Sequence, residues 1–217
     1  KKGVLKKVSF MNRLKNFAKL SFGNSFDLFY GKNKVTPRVI FNKQRTSNEI
    51  EGFFNRKTGE ISVEGYDVDT LAHELSHWID SGYNIEGKIS DEAYATIKDF
   101  EELGSPPVIE ELTEQVKEKL EKEGVENITD EAFEARLQQA IETYKRREGI
   151  AEFLNAMMVN NDAVAALYPK AHAEVVDIMA EGNDNPSASK KKKRAKKVVE
   201  SFRDLSMDFS HRESLTM

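Results

Sequence analysis

Apolar residues recur along the chain at two different periods, and the change from one to the other marks its organisation. Val4, Val8, Met11, Leu14, Phe17 and Ala18 fall three to four residues apart with lysines between them, which predicts an amphipathic helix over residues 4–20. Pro37 then precedes Arg38-Val39-Ile40-Phe41, a β-branched and aromatic run. Gly52-Phe53-Phe54 and the stretch Gly59 to Glu64 follow, separated by the turn-prone residues Asn55 to Thr58. Ile61 and Val63 alternate with Ser62 and Glu64, so the last run has one apolar and one polar face. Together these runs predict a small, mainly antiparallel sheet.

Beyond residue 67 the period lengthens to that of helices. A helix is predicted from Val68 to Ser81, with Asp67 or Asp69 as its cap and Gly82 as its stop. A short helix near Asp91 to Leu103 precedes the Pro106-Pro107 break. Ile109, Leu112, Val116 and Leu120 then define a highly charged helix ending at Gly124. Thr129 or Asp130 caps the next, which carries Phe133, Leu137, Ile141 and Tyr144 on one stripe and runs towards Glu148. An apolar block from Ile150 to Val159, a segment from Ala163 to Leu167 and a helix around Ala171 to Met179 complete the pattern before the polar stretch Asn183 to Ser189. The expected class is α+β. Its expected parts are an N-terminal extension over residues 1–34, a main domain over 35–182, and a basic linker with a tail over 183–217. Within that tail Val198, Val199, Phe202 and Leu205 predict a short helix over 198–209.

Composition narrows the chemistry. With 39% hydrophobic and 32% charged residues, the 217-residue chain builds a core and leaves polar segments outside it. No stretch approaches the roughly 18 apolar residues that span a bilayer, so a soluble chain is expected. The chain opens on Lys1-Lys2 rather than Met, as a piece of a longer protein would. There is no cysteine, so thiolate ligands, thiol nucleophiles and disulfides are excluded, and any borderline metal must rest on the four histidines. The net charge of −4 hides an uneven distribution: residues 1–26 hold seven Lys/Arg and no acid, and residues 190–197 hold seven more with none. From Glu86 to Glu152 nineteen Asp/Glu face nine Lys/Arg, which points to solvated helical faces there. The lysine run reads as a disordered linker, because no aromatic residue interleaves with it; contact with nucleic acid or an acidic partner is the alternative.

The chemical signal lies at Leu71-Ala-His73-Glu74-Leu-Ser-His77-Trp-Ile-Asp80, an HExxH pattern within an apolar helical frame. Residues i and i+4 share one face of a helix, so His73 and His77 can present ring nitrogens to one zinc ion at about 2.0–2.1 Å. Glu74 then flanks the open coordination position, placed to take a proton from zinc-activated water and pass it to a leaving amine. A catalytic site needs a third protein ligand. An HExxHxxGxxH arrangement is excluded, since Asp80 and Tyr83 stand where glycine and histidine would be required. His172, His211, Asp80 and Asp91 are candidates, but the strongest lies in Arg147-Glu148-Gly-Ile-Ala-Glu152. Two carboxylates one turn apart on a largely apolar helix are costly unless a cation meets them. Glu148 as zinc ligand, with Glu152 accepting the outer N–H of His73 or His77, removes that cost; a solvated face paired with Arg147 is the bland alternative.

The order of strand, LAHELSHWID and, some seventy residues on, REGIAEFLNAMM resembles the gluzincin-type zincin metallopeptidases over about residues 35–180. The likeness is greatest to the group containing the anthrax lethal factor protease domain and to zincin-like domains embedded in phage and mobile-element polyvalent proteins. The resemblance implies a zinc metalloendopeptidase in which His73, His77 and Glu148 hold Zn2+, Glu74 is the base and Glu152 orients a ligand. It also implies a tyrosine that steadies the oxyanion. Tyr144 is the nearest equivalent, although its spacing to Glu148 differs, and Tyr168 and His172 are further candidates. In zincins the strand before the motif helix lies at a sheet edge, so Gly59 to Glu64 is expected to bind an extended peptide by backbone hydrogen bonds. The alternative is a catalytically silent module of a phage or mobile-element particle, with binding as its output.

Overall fold

The computed structural model describes residues 38–42, 52–64, 68–101, 106–125, 128–182 and 186–216; the helix expected over residues 4–20, and the extension that holds it, lie outside the described residues. The strands are β1 (Arg38–Asn42), β2 (Gly52–Asn55) and β3 (Glu60–Glu64). The alternation in β3 buries Ile61 and Val63 completely against the helical layer. β2 and β3 form the expected hairpin, with Phe54 opposite Ile61 and Gly52 opposite Val63. Its turn is built by Asn55, whose Oδ1 accepts from Lys57 N at 2.9 Å and Thr58 N at 3.1 Å, and by Gly59, which takes the left-handed φ of 69° that closes the loop.

Two expectations about the sheet are corrected. β1 joins β3 in parallel, Val39 beside Ile61, so the sheet is mixed, and its order β1-β3-β2 puts β3 in the centre rather than at an edge. Hydrophobic alternation specifies which face of a strand is buried. It says nothing about a partner that returns from a distant part of the chain.

The helices are α1 (Val68–Tyr83), α2 (Ile85–Lys88), α3 (Asp91–Tyr94), α4 (Pro106–Lys122), α5 (Asp130–Leu167), α6 (Pro169–Glu181) and α7 (Ala188–Thr216), with a 3-10 turn over Ala95–Phe100. α1 buries Leu71, Ala72, Leu75, Trp78, Ile79 and Tyr83. It runs through Gly82 and stops instead at Asn84, which takes a left-handed backbone (φ 54°, ψ 51°) and whose N–H donates to Asp80 O at 2.6 Å. Asp67 lies outside the described residues, and Asp69 falls inside the first turn. Thr129 is the cap that starts α5, accepting from Ala132 N at 3.3 Å.

The helix capped at Thr129 or Asp130 and running towards Glu148, and the segments 150–159 and 163–167, are one 38-residue helix. Gly149 does not break it. A Cβ there would stand 3.3 Å from Tyr94 Oη and from the Glu101 side chain, so glycine permits a close approach of α5 to the 3-10 turn. The helix does bend at Asn160, whose φ of −151° and ψ of 81° are non-helical. The backbone groups freed by the bend find partners: Asn160 Oδ1 accepts from Ala163 N at 3.1 Å, and Ser206 Oγ of α7 accepts from Asn161 N at 3.2 Å while donating towards Met158 O at 3.0 Å.

That contact bears on the C-terminal part. The lysine run expected to be a disordered linker is the opening half of α7, which packs on α5 and α6 and adds Val198 (1% exposed) and Phe202 (0% exposed) to the central core. The core therefore continues past residue 182. Its physical reason lies in the spacing of Ala195, Val198, Val199 and Phe202, one apolar stripe at helical period that lysines flank without interrupting. Replacing Phe202 by Ala is expected to lower stability by about 3–5 kcal/mol in urea unfolding, as for a core aromatic; a residue in a tail would change it by no more than about 0.5 kcal/mol.

Candidate metal centre

α1 and α5 cross with Trp78, Ile79, Ile150 and Leu154 buried in the core they share, and on the more open side of that crossing their polar residues meet. His73 and His77 lie one turn apart on α1, and Glu148 comes from α5. One ligand atom from each lies within 4.8 Å of the others. The three edges are 3.0 Å between His73 Nε2 and His77 Nε2, 3.3 Å between His73 Nε2 and Glu148 Oε2, and 3.2 Å between His77 Nε2 and Glu148 Oε2. A four-coordinate ion with bonds of about 2.0–2.1 Å separates its ligand atoms by roughly 3.3 Å, so this triangle fits zinc, and its N2O donor set suits it.

Glu152 completes the arrangement from one turn further along α5. His73 Nδ1 donates to Glu152 Oε1 at 2.6 Å, which turns Nε2 towards the other two ligand atoms. Asn155 Nδ2 in turn donates to Glu152 Oε2 at 3.4 Å. Burial opposes the charged form of His73, but hydrogen bonds and attraction from Glu148 and Glu152 outweigh it and push its pKa up to about 10. Burial likewise opposes ionised Glu148, yet hydrogen bonds from His73 and His77 bring its pKa down to about 2. The hydrogen bond from His73 holds Glu152 below the ordinary carboxylate range.

Glu74 sits beside the cluster, 7% exposed. Burial raises its carboxyl above the usual range against the pull of His77 and His73. One wall of its site is β2: a Cβ added at Gly52 would lie 2.8 Å from Glu74 Oε1 and 2.5 Å from Thr70 Cγ2. Only a glycine lets the strand pass this close. Nothing in the order of residues announces that contact, because it arises between a strand and a helix that the hairpin brings together.

The other sequence candidates whose side chains are described have surroundings of their own. Asp80 is 1% exposed and held by Glu86 N at 2.7 Å and Arg56 Nη2 at 3.2 Å, so it ties α1 to α2 and to the hairpin turn. Glu86 also approaches Arg147 Nε at 3.6 Å, and the residue before Glu148 thereby joins the same network instead of covering the paired glutamates. Asp91 pairs with Arg146 at 3.2 Å. His172 is buried with Asn161 Oδ1 at 3.0 Å, and burial lowers its pKa. Tyr168 packs edge-on against Phe100 and Phe153. Tyr144 lines a groove between α4 and α5 with Leu112, Val116 and Arg147. The side chain of His211 lies outside the described residues. Asn155 is a participant that the motifs did not single out; three residues after Glu152, it was open to helical-spacing logic.

Comparison with protein-family models, with curated proteins and with solved structures finds no match to this chain. The site therefore rests on its own geometry. Below pH 10 the metal-free pair holds a proton on His73, because its folded pKa is raised to about 10 from 6.5, and a zinc ion must displace that proton. Zinc affinity, measured by competition with a chelator, is expected to rise about tenfold per pH unit between roughly pH 7 and 8. Glu152→Gln is expected to weaken zinc binding about 10–100-fold, as loss of a carboxylate behind a ligating histidine does.

Proposed function

We propose that the protein is a zinc-dependent endopeptidase of the zincin type. The observation that supports this reading most is the triangle of His73, His77 and Glu148, with edges of 3.0–3.3 Å, flanked by a buried Glu74 that is not one of its three ligand atoms. Two helices far apart in the chain supply the triangle, and a separate carboxylate stands ready for proton transfer. That division of roles is what hydrolysis of an amide requires.

When bound, zinc lowers the pKa of water towards about 7 and polarises the scissile carbonyl. The chain's own residues do the rest. Glu74, with a carboxyl pKa raised by burial, accepts a proton from the attacking water and returns it to the departing amine. Glu152 fixes the tautomer and ring orientation of His73 through the 2.6 Å hydrogen bond. His73, with 24% of its side chain exposed, leaves the cluster open to solvent on that side.

The peptide is assigned to β2 instead of β3. β3 is paired on both sides, whereas the outer edge of β2 has no partner strand among the described residues, and its Gly52 lies against Glu74. An extended substrate hydrogen-bonded along that edge passes beside the proposed base, and Phe53, 55% exposed, offers an apolar side chain to it. Backbone pairing of this kind tolerates many sequences.

Cleavage of an unstructured protein by the zinc-loaded chain tests the reading. Glu74→Gln is expected to retain one zinc per chain and to lose at least about 100-fold in kcat, the contribution of a general base. Gly52→Ala is expected to bind zinc like the parent and to lower kcat by displacing Glu74. Full activity in the Glu74 variant, or none in the zinc-loaded parent, sinks the proposal.

A further inference from the structure

The docking of α7 changes what its lysines can do. Lys191 and Arg194 lie on the inner side, where Lys191 meets Asp177 at 3.1 Å and Glu181 at 3.5 Å, and Arg194 donates to Glu181 O at 3.3 Å. Those two share the helix face of Ala195, Val198 and Phe202, which packs into the core. Lys190, Lys192, Lys193, Lys196 and Lys197 fan over the opposite side, and all five are exposed. Among the described residues the carboxylate paired with this fan is Glu200, 3.6 Å from Lys196.

This arrangement works against the helix itself. Cations at 192 and 196, at 193 and 197, and at 190 and 193 are neighbours on the helix surface and repel. They also crowd the N-terminal half, where the helix dipole already places positive charge, and no acid occurs between Ala188 and Val199. The helix is held in spite of this by Val198, Phe202 and the Ser206 contact with the bend in α5. The lysines are thus a fixed array on a packed element, not charges on a loose chain. A fixed array of one sign is complementary to a polymer of the other.

We propose that the outer face of α7 binds the phosphate backbone of duplex nucleic acid without reading its sequence. Lys190 to Lys197 span about 10 Å of helix, room for about three successive phosphates of one strand. A duplex fits better than a single strand, because single-strand surfaces stack bases on aromatic rings and the aromatic residue between Ala188 and Arg203, Phe202, is fully buried. No group on the face has the planar, bidentate geometry that discriminates bases. The inference is independent of the peptidase reading, since it uses none of the residues at the metal centre.

The test is fluorescence anisotropy of the full chain with labelled DNA duplexes of roughly 25 base pairs, of two unrelated sequences, from about 50 to about 200 mM salt. Both duplexes are expected to bind with equal affinity, more tightly than a single strand of the same length. A variant with Lys190, Lys192, Lys193, Lys196 and Lys197 all changed to Gln is expected to bind at least about tenfold more weakly, with the slope of log affinity against log salt shallower by about 3. Its circular dichroism and zinc stoichiometry should match the parent; should it misfold, the pair Lys193→Gln and Lys197→Gln gives the same reading with a slope change of about 2. An unchanged affinity and slope in a folded variant overturns the proposal. So does tighter binding of the parent to polyglutamate or to vesicles of anionic lipid than to the duplex, or a sequence preference between the two duplexes.

Discussion

Three atoms that carry lone pairs, two imidazole nitrogens and a carboxylate oxygen, are held 3.0–3.3 Å apart at the crossing of α1 and α5. Left alone, such a group is repulsive, and a shared proton or a divalent ion between its members removes the repulsion. The rest of the structure is organised around keeping these atoms together. The buried faces of α1 and α5 meet in one core, so Leu75, Trp78, Ile150 and Leu154 set the distance between the helices while the polar residues occupy their open side. Glu152 adds a direct link, because its hydrogen bond to His73 connects the helices at the site itself.

The scaffold behind the site is held by contacts between segments far apart in the chain. Gly149 lets α5 approach Tyr94 and Glu101, and it lies beside Glu148. Beyond the site the same helix bends at Asn160, and Ser206 of α7 takes up the backbone groups that the bend releases. Asp80, Arg56, Glu86 and Arg147 join the end of α1, the hairpin turn, the start of α2 and the residue before Glu148. A buried carboxylate such as Asp80 is tolerated because a backbone N–H and a guanidinium both satisfy it. These contacts hold His73, His77 and Glu148 through their neighbours, so the precision of the site is a property of the packed domain.

Charge is distributed with the same economy of position. The acids of α4 and of the exposed first half of α5 are solvated or paired locally, as with Lys117 and Glu114 or Lys122 and Glu118, and pairs of that kind contribute little to stability. The carboxylates of the candidate site, Glu74, Glu148 and Glu152, sit where α5 leaves solvent and enters the core. The lysines of α7 divide in the same way, into an inner pair with partners on α6 and an outer fan facing water.

Much of this was legible in the residues themselves. Helical period alone placed His73, Glu74 and His77 on one element and spaced Glu148 and Glu152 by a turn, and the cost of two carboxylates on an apolar helix pointed to a histidine partner for Glu152. Alternation in Ile61 to Glu64 named the buried face of β3, and Asn55 to Thr58 named the turn. These are local signals, set by backbone geometry within a few residues. Tertiary packing decided the remainder: that β1 pairs in parallel and puts β3 in the middle, that Asn84 rather than Gly82 ends α1, that α5 continues through Gly149, that α7 belongs to the core, and that β2 at Gly52 walls in Glu74. Each of these depends on which distant surface meets which. Period and composition specify the face an element must bury, and the partner that buries it is chosen only when the whole chain packs.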